Sequence, residues 1–162
     1  MDFTSVYRRC QPMVRAHALR MLGNTAAADD VTQDVFVQFL RRRHAGDSER
    51  DVAAFLYRMT TNAALNRLRN QRRRHELDAA QSTLAQGNPL PCVDPLALRR
   101  VLTRVPEDEA RIAAYYYVEG LEQEEIAELL CIHRRAVGRR LERFRERARA
   151  LLKNTDGDPH GR

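Results

Sequence analysis

With 162 residues the chain has room for one domain or two small ones, and its 43% hydrophobic content can furnish cores that 6% aromatics and no Trp keep modest. A net charge of +6 favours an anionic partner, and no run approaches the roughly 20 apolar residues that a membrane span needs. Met1-Asp2-Phe3-Thr4 lacks the basic and apolar regions of a signal peptide, and Cys10, Cys92 and Cys131 are too scattered for a disulfide framework or metal pair, which points to reduced thiols in a cytoplasmic protein.

Strand signals are almost absent, and the apolar periodicity predicts an all-α chain. Phe3, Val6, Tyr7, Cys10, Met13, Val14, His17, Ala18 and Met21 keep the three-four rhythm of a helix that Gly23-Asn24 closes. Pro12 lies inside that pattern and should kink or interrupt it, because it removes an amide donor. A second helix is predicted from about Ala26 to Arg43, with Val31, Val35, Phe39 and Leu40 inward and Asp29 and Asp30 in its first turn. His44 to Asp51 reads as a polar loop. Asp51 then caps a long third helix, Val52 to His75, carrying Phe55, Leu56, Met59, Ala63 and Leu68.

The composition shifts from Ser82 to Pro95, where Gly87, Pro89, Pro91 and Pro95 mark a flexible linker. Asp94-Pro95 reads as an N-cap followed by a first-turn proline. Four helices fit beyond it, at about 95–104, 107–118, 122–130 and 133–152, before a disordered tail at 154–162. The expected organisation is two small helical domains, a bundle over 1–76 and a four-helix domain over 95–153, joined by a linker at 77–94.

In the second domain, Ile126, Ala127, Leu129 and Leu130 form a stripe that breaks at Cys131-Ile132-His133. The next run sets Val137, Leu141, Phe144 and Ala148 on one face, with arginines elsewhere. An apolar seam under a basic outer face is what a helix-turn-helix needs, the second helix entering the major groove. Arginine suits that helix because its planar fork pairs with guanine edges or phosphates. A solvated basic helix in some other bundle would show the same pattern, but the charges are segregated. His133 to Lys153 carries nine basic residues against two Glu, whereas Glu107 to Glu128 carries eight acids against Arg111. Such a layout predicts a basic surface for nucleic acid and an acidic face that turns away from phosphate or meets a basic partner.

Two features of the first domain stand out. Asp30, Gln33 and Asp34 fall on neighbouring turns of one helix face, which fits a docking surface for a basic partner. A metal site among these aspartates is not expected, since no His accompanies them. The third helix places Asn62, Asn66, Arg67 and Arg69 ahead of Arg72, Arg73 and Arg74, a set able to read base edges and hold phosphates.

These residues together resemble a known family. Ala28 to Phe36 (ADDVTQDVF) is similar to the second conserved region of bacterial sigma factors of the extracytoplasmic-function (ECF) group, and Phe55 to Arg69 (FLYRMTTNAALNRLR) to its continuation. Val105-Pro106, Tyr117 to Leu121 and Glu124 to Leu130 resemble the entry into the fourth region. The likeness covers roughly residues 3–152, and the ordered pair of regions is more specific than either alone.

The resemblance implies a non-enzymatic factor, without metal or cofactor, that binds core RNA polymerase through its β′ and β subunits and directs initiation at promoter DNA. Asp30, Gln33, Asp34 and Phe36 would dock on the β′ clamp helices. Asn62, Asn66, Arg67 and Arg69, with the loop at 44–51, would trap the melted minus-ten element as extruded single-stranded bases. Arg134, Arg135, Arg139, Arg140 and Arg143 would read the minus-thirty-five element as duplex, and the linker would follow the polymerase channel. A chain this short leaves no room for an inhibitory domain, so a separate anti-sigma protein is expected to restrain it.

Several positions depart from the family pattern: Cys131 stands where Gly is common, His133 for Ser, Asn66 for Asp and Phe55 for Trp. Gly138, inside the recognition helix, should cost up to roughly 1 kcal/mol against Ala unless it admits DNA closely. Two other readings stay open. A stand-alone helix-turn-helix regulator would not need the Asp30, Gln33 and Asp34 face, and a nuclease would use Asp29, Asp30 and Asp34 for metal-dependent cleavage.

Overall fold

Apolar stripes at helical spacing set every element of this chain. The computed structural model describes residues 2–42, 49–78 and 94–155, which are helical throughout apart from their connections. The chain divides into two compact units, Met1–Thr83 and Leu84–Arg162. Most of the predicted linker at 77–94, of the tail at 154–162 and of the polar loop at 44–51 lies outside the described residues, while 77–78 and 154–155 continue helices. Among those described, no helix is long and apolar enough to cross a membrane.

The first unit is a three-helix bundle of α1 (Phe3–Leu22), α2 (Thr25–Arg42) and α3 (Glu49–Asp78). Asp2 caps α1 by accepting from the Ser5 amide at 3.4 Å, and Gly23 ends it with a left-handed φ of 66° while its N–H donates to the Leu19 carbonyl at 2.8 Å. The helix runs on through Pro12 rather than stopping there. Pro12 is exposed, so water can serve the carbonyl that lost its amide partner. Asn24 caps α2, accepting from the Ala27 amide at 2.9 Å. Helix α2 therefore starts at Thr25, and Asp29 and Asp30 sit in its second turn instead of its first. Likewise α3 starts at Glu49, which places Asp51 inside the helix and not at its cap.

Val14 and Met21 of α1, Val31, Val35 and Phe39 of α2, and Leu56 and Leu65 of α3 are buried together. Leu40, expected inward, is 52% exposed because one helical step from Phe39 turns it out of the stripe. A polar tie crosses this core: buried His17 lies 2.8 Å from the Thr61 hydroxyl and stacks on Tyr57 with ring centroids 4.2 Å apart. Thr61 donates its proton to the Tyr57 carbonyl at 3.1 Å, so its oxygen accepts from the His17 Nε2–H.

The second unit holds α4 (Pro95–Leu102), α5 (Glu107–Ala113), α6 (Gln123–Leu130) and α7 (Arg134–Thr155). Asp94 caps α4 as expected, accepting from the Leu96 amide at 2.9 Å with Pro95 in the first turn. Helix α5 runs into a wider π turn, Ala114–Val118, marked by the Glu119 amide donating to the Ala114 carbonyl at 3.2 Å. Glu125 opens α6 by accepting from the Glu122 amide at 2.7 Å. Ile126 of α6 packs with Val137, Leu141 and Phe144 of α7, all buried, beside Ile112 and Tyr115.

Between α6 and α7 the chain turns at Cys131, whose φ of 52° and ψ of 45° are left-handed. A residue with a Cβ is strained there by about 1 kcal/mol, which the Gly common in the family would avoid. Gly138 faces Gln123 of α6, whose Oε1 would lie 3.4 Å from an added Cβ. A side chain there would make ordinary van der Waals contact, so packing on α6 does not by itself demand glycine at this position. Two ion pairs tie α5 to α7: Asp108 to Arg140 and Glu109 to Arg147, each at 3.0 Å. Burial pushes the Asp108 carboxyl up, but hydrogen bonds from Arg140 and the Glu109 amide, with the Arg140 charge, leave it below its usual range.

Cys131→Gly should stabilise the second unit by about 1 kcal/mol, seen in the full chain as roughly fivefold slower hydrogen exchange of the most protected α6 and α7 amides. Faster exchange would mean that the left-handed turn carries no strain. Because the folded Asp108 pKa is depressed, its contribution is complete above the unfolded carboxylate value of about 4 and is lost as pH falls through the lower folded value. Asp108→Asn should accordingly lower stability at pH 6 and show a shallower acid-induced loss than the parent below about pH 4. Parallel pH profiles would exclude this contribution.

Candidate nucleic-acid interfaces

The acidic cluster of α2 is sorted by its neighbours. Asp29 is committed to α1, where Arg15 Nε donates to it at 2.6 Å. Asp30 reaches the other way and accepts from Arg67 Nη2 of α3 at 3.0 Å. Gln33 and Asp34 are exposed. The two aspartates most suggestive of a metal site are thus turned to different arginines. Phe36, expected on the docking surface, is only 3% exposed. It packs edge-on against Tyr7 at 4.7 Å and Phe3 at 6.4 Å between ring centroids, so it supports the α1–α2 contact from within.

On α3, Asn66 is exposed, while Asn62, Arg67 and Arg69 are half-buried. The Asn62 Oδ1 is enclosed without a hydrogen-bond partner among the described residues. A polar groove of about 370 Å³ runs between α2 and α3, lined by Asp34, Gln38, Asn66, Arg67, Asn70, Gln71 and Arg74. It brings Asp34 of the acidic face together with Asn66 and Arg67 of α3. Arg74 belongs to the basic run singled out in the sequence, whereas Gln38, Asn70 and Gln71 were missed there. The signal was there: Asn66 and Asn70, Arg67 and Gln71, and Asp34 and Gln38 are each four residues apart, hence on shared faces.

Helix α7 divides its arginines. Arg140 and Arg147, seven residues apart, pair with α5: half-buried Arg140 with Asp108, and exposed Arg147 with the buried carboxylate of Glu109. Arg145 donates to the Tyr117 hydroxyl at 2.9 Å and to Glu142 at 3.2 Å, and lies over the Tyr116 ring. Arg134 pairs with Glu124 of α6 at 2.6 Å, with both groups largely exposed. Arg135, Arg139 and Arg143 recur every four residues, are exposed, and have no ion pair among the described residues. They form the outward basic stripe. The acidic block from Glu107 to Glu128 therefore does not simply turn away, because Asp108, Glu109 and Glu124 neutralise part of the basic helix itself.

At the start of α7 the His133 carbonyl accepts from the amides of Ala136 and Val137 at 2.8 and 3.3 Å. With α6 packed against α7 across the tight turn at Cys131, the arrangement is a helix-turn-helix whose second helix presents Arg135, Arg139 and Arg143.

Comparison with known proteins agrees with this geometry. Residues 6–74 match the family model of sigma-70 region 2, and residues 96–147 match that of sigma-70 region 4. The chain is 30% identical over 155 residues to the probable RNA polymerase sigma factor RfaY of Xanthomonas campestris pv. campestris, an alignment that takes in 90% of this chain but only 38% of that protein. It is 28% identical over 150 residues to the ECF RNA polymerase sigma factor SigW of Bacillus subtilis, covering 83% of this chain and 80% of the relative. The RNA polymerase sigma factor CarQ of Myxococcus xanthus is 29% identical over 154 residues, covering 93% and 88%. A co-crystal structure of the sigma factor RpoE with the anti-sigma factor NepR from Bartonella quintana shares the fold, with a TM-score of 0.52 and 19% identity over 94% of this chain and 97% of that one. With region 2 on the three-helix unit and region 4 on the helix-turn-helix unit, in that order, this chain belongs to the sigma-70 family of RNA polymerase sigma factors, within its ECF group.

Proposed function

We propose that this chain docks on core RNA polymerase through the exposed face of α2, captures the melted minus-ten element along α3, and reads the minus-thirty-five element with α7. The observation that carries this reading is the presence, in one chain, of sigma-70 regions 2 and 4, each with its own polar face. Asp34 and Gln33 are the exposed centre of the docking face, with Asp30 beside them. Phe36 holds that face in place from beneath.

Asn62, Asn66, Arg67 and Arg69 supply the minus-ten contacts. Amide side chains accept and donate at base edges, and a single strand offers those edges once its bases leave the stack. Binding favours the melted state simply because the duplex cannot fill the same contacts, so no bond is hydrolysed and the chain is not an enzyme. On α7, Arg135, Arg139 and Arg143 make the direct DNA contacts. Arg134 and Arg140 reach DNA only by sharing or leaving Glu124 and Asp108.

The chain works in the cytoplasm, where polymerase and promoter are. Its restraint is assigned to a separate anti-sigma protein, a reading supported by the RpoE relative, which was crystallised with the anti-sigma factor NepR.

Charge reversal at Asp30→Arg/Asp34→Arg should weaken binding to bacterial core polymerase at least about tenfold, because a basic partner would then meet like charge. Undiminished affinity would remove α2 as the docking face. Arg139→Ala should weaken duplex binding and flatten its log–log salt dependence by about 0.9 if the lost contact is a phosphate. An unchanged affinity and slope would show that α7 presents a different face to DNA.

A further inference from the structure

The geometry points to Glu124 of α6 as a specificity-determining residue that turns Arg134 of α7 from a phosphate binder into a reader of guanine. This rests on the reading of α7 as the duplex-binding helix and adds to that site a residue from outside the helix. Arg134 Nε lies 2.6 Å from Glu124 Oε1, and the side chains are 65% and 60% exposed, so the pair stands in solvent where a duplex can reach it. The other interhelical pairs of α7 are of a different kind. Arg140 is half-buried beside Asp108, and Arg147 meets the buried carboxylate of Glu109. Those two hold α5 to α7, whereas the pair at Glu124 secures no buried group.

Its chemistry separates the two kinds of DNA contact. A phosphate that approaches Arg134 meets the Glu124 carboxylate on the same guanidinium, so it must displace that acceptor against like charge. A guanine edge is neutral and presents only acceptors, O6 and N7, to the major groove. The carboxylate contact is to Nε, at the base of the fork, and Arg134 has no other ion pair among the described residues. Its two terminal nitrogens can therefore donate to guanine while the pair stays intact. The acid also narrows the poses open to a long, exposed side chain, which lowers the entropy lost when a base is bound. The neighbouring residues leave room for this contact. Gly138 lies four residues on, hence on the same face of α7, and the nearest group to a Cβ added there is the Gln123 Oε1 of α6 at 3.4 Å. The first turn of α6 thus adds two polar side chains to this face, and one turn beyond Arg134 no α7 side chain obstructs a base pair.

The test uses the full chain and a randomised duplex library. The parent should enrich guanine at a position where Arg134→Ala loses that preference. Replacing this guanine by 7-deazaguanine, which lacks the N7 acceptor, should weaken the parent about fivefold and leave Arg134→Ala unchanged. Glu124→Gln should cut the guanine preference two- to fivefold, the range of an exposed ion pair. Its binding to duplex of unselected sequence should rise by a similar factor, with a log–log salt dependence steeper by about 0.9 as Arg134 turns to a phosphate. All three changes should vanish when Arg134→Ala is present. An equal rise on every sequence, with or without Arg134, would mean that Glu124 acts only through net charge, and the proposal is overturned. A guanine preference that Glu124→Gln leaves untouched overturns it too. Arg139→Ala separates the two levels. If it weakens duplex binding while Glu124→Gln is silent, α7 remains the reading helix and only the role of Glu124 is wrong. If both are silent, the duplex reading of α7 falls with it.

Discussion

Helix α7 has to satisfy two opposed demands. Val137, Leu141 and Phe144 make it half of the second unit's core, yet the same helix carries eight arginines whose mutual repulsion works against folding. Asp108, Glu109 and Glu124 resolve the conflict by neutralising three of those arginines from α5 and α6. The pair at Glu109 weighs most, since that carboxylate is nearly buried and would be costly left alone. What remains outward is a sparse stripe at four-residue spacing. The acidic block next to the basic helix is thus a condition for folding it as well as a surface in its own right.

The first unit shows the same economy on a smaller scale. Arg15 takes Asp29 and Arg67 takes Asp30, so a run of acids that looks uniform in the sequence becomes three groups in different states. One is anchored, one is loosely held, and Asp34 faces solvent. Ion pairs across helices, rather than exposure alone, decide which charges are available to a partner.

Local chemistry was legible in the sequence wherever a cap or a stripe declares itself within a few residues. Asp94 with Pro95, Gly23, the turn at Cys131 and the apolar seam of α7 are all of that kind, and they were enough for the all-helical fold. The errors fall where the deciding contact is distant or one residue shifts the count. Asn24 acting as the cap moved Asp29 and Asp30 into a second turn. Phe36 looked like part of an exposed motif until Tyr7 and Phe3 from another helix covered it. The arginines of α7 that pair with acids share their residue type with the unpaired ones, and only the position of α5 tells them apart.

The π turn at Ala114–Val118 holds one residue more than an α-helix of the same rise would need. That surplus sets the phase of everything after it. Tyr117 reaches Arg145 and lies 5.7 Å from the Phe144 ring in this phase. A single deletion within the turn would restore ordinary helix while rotating the residues before it by roughly 100° against those beyond. The segment therefore works as a register spacer: its length, more than the identity of each residue, decides which aromatic edge meets α7. Relatives that differ here by one position would be expected to rebuild that contact with a neighbouring side chain.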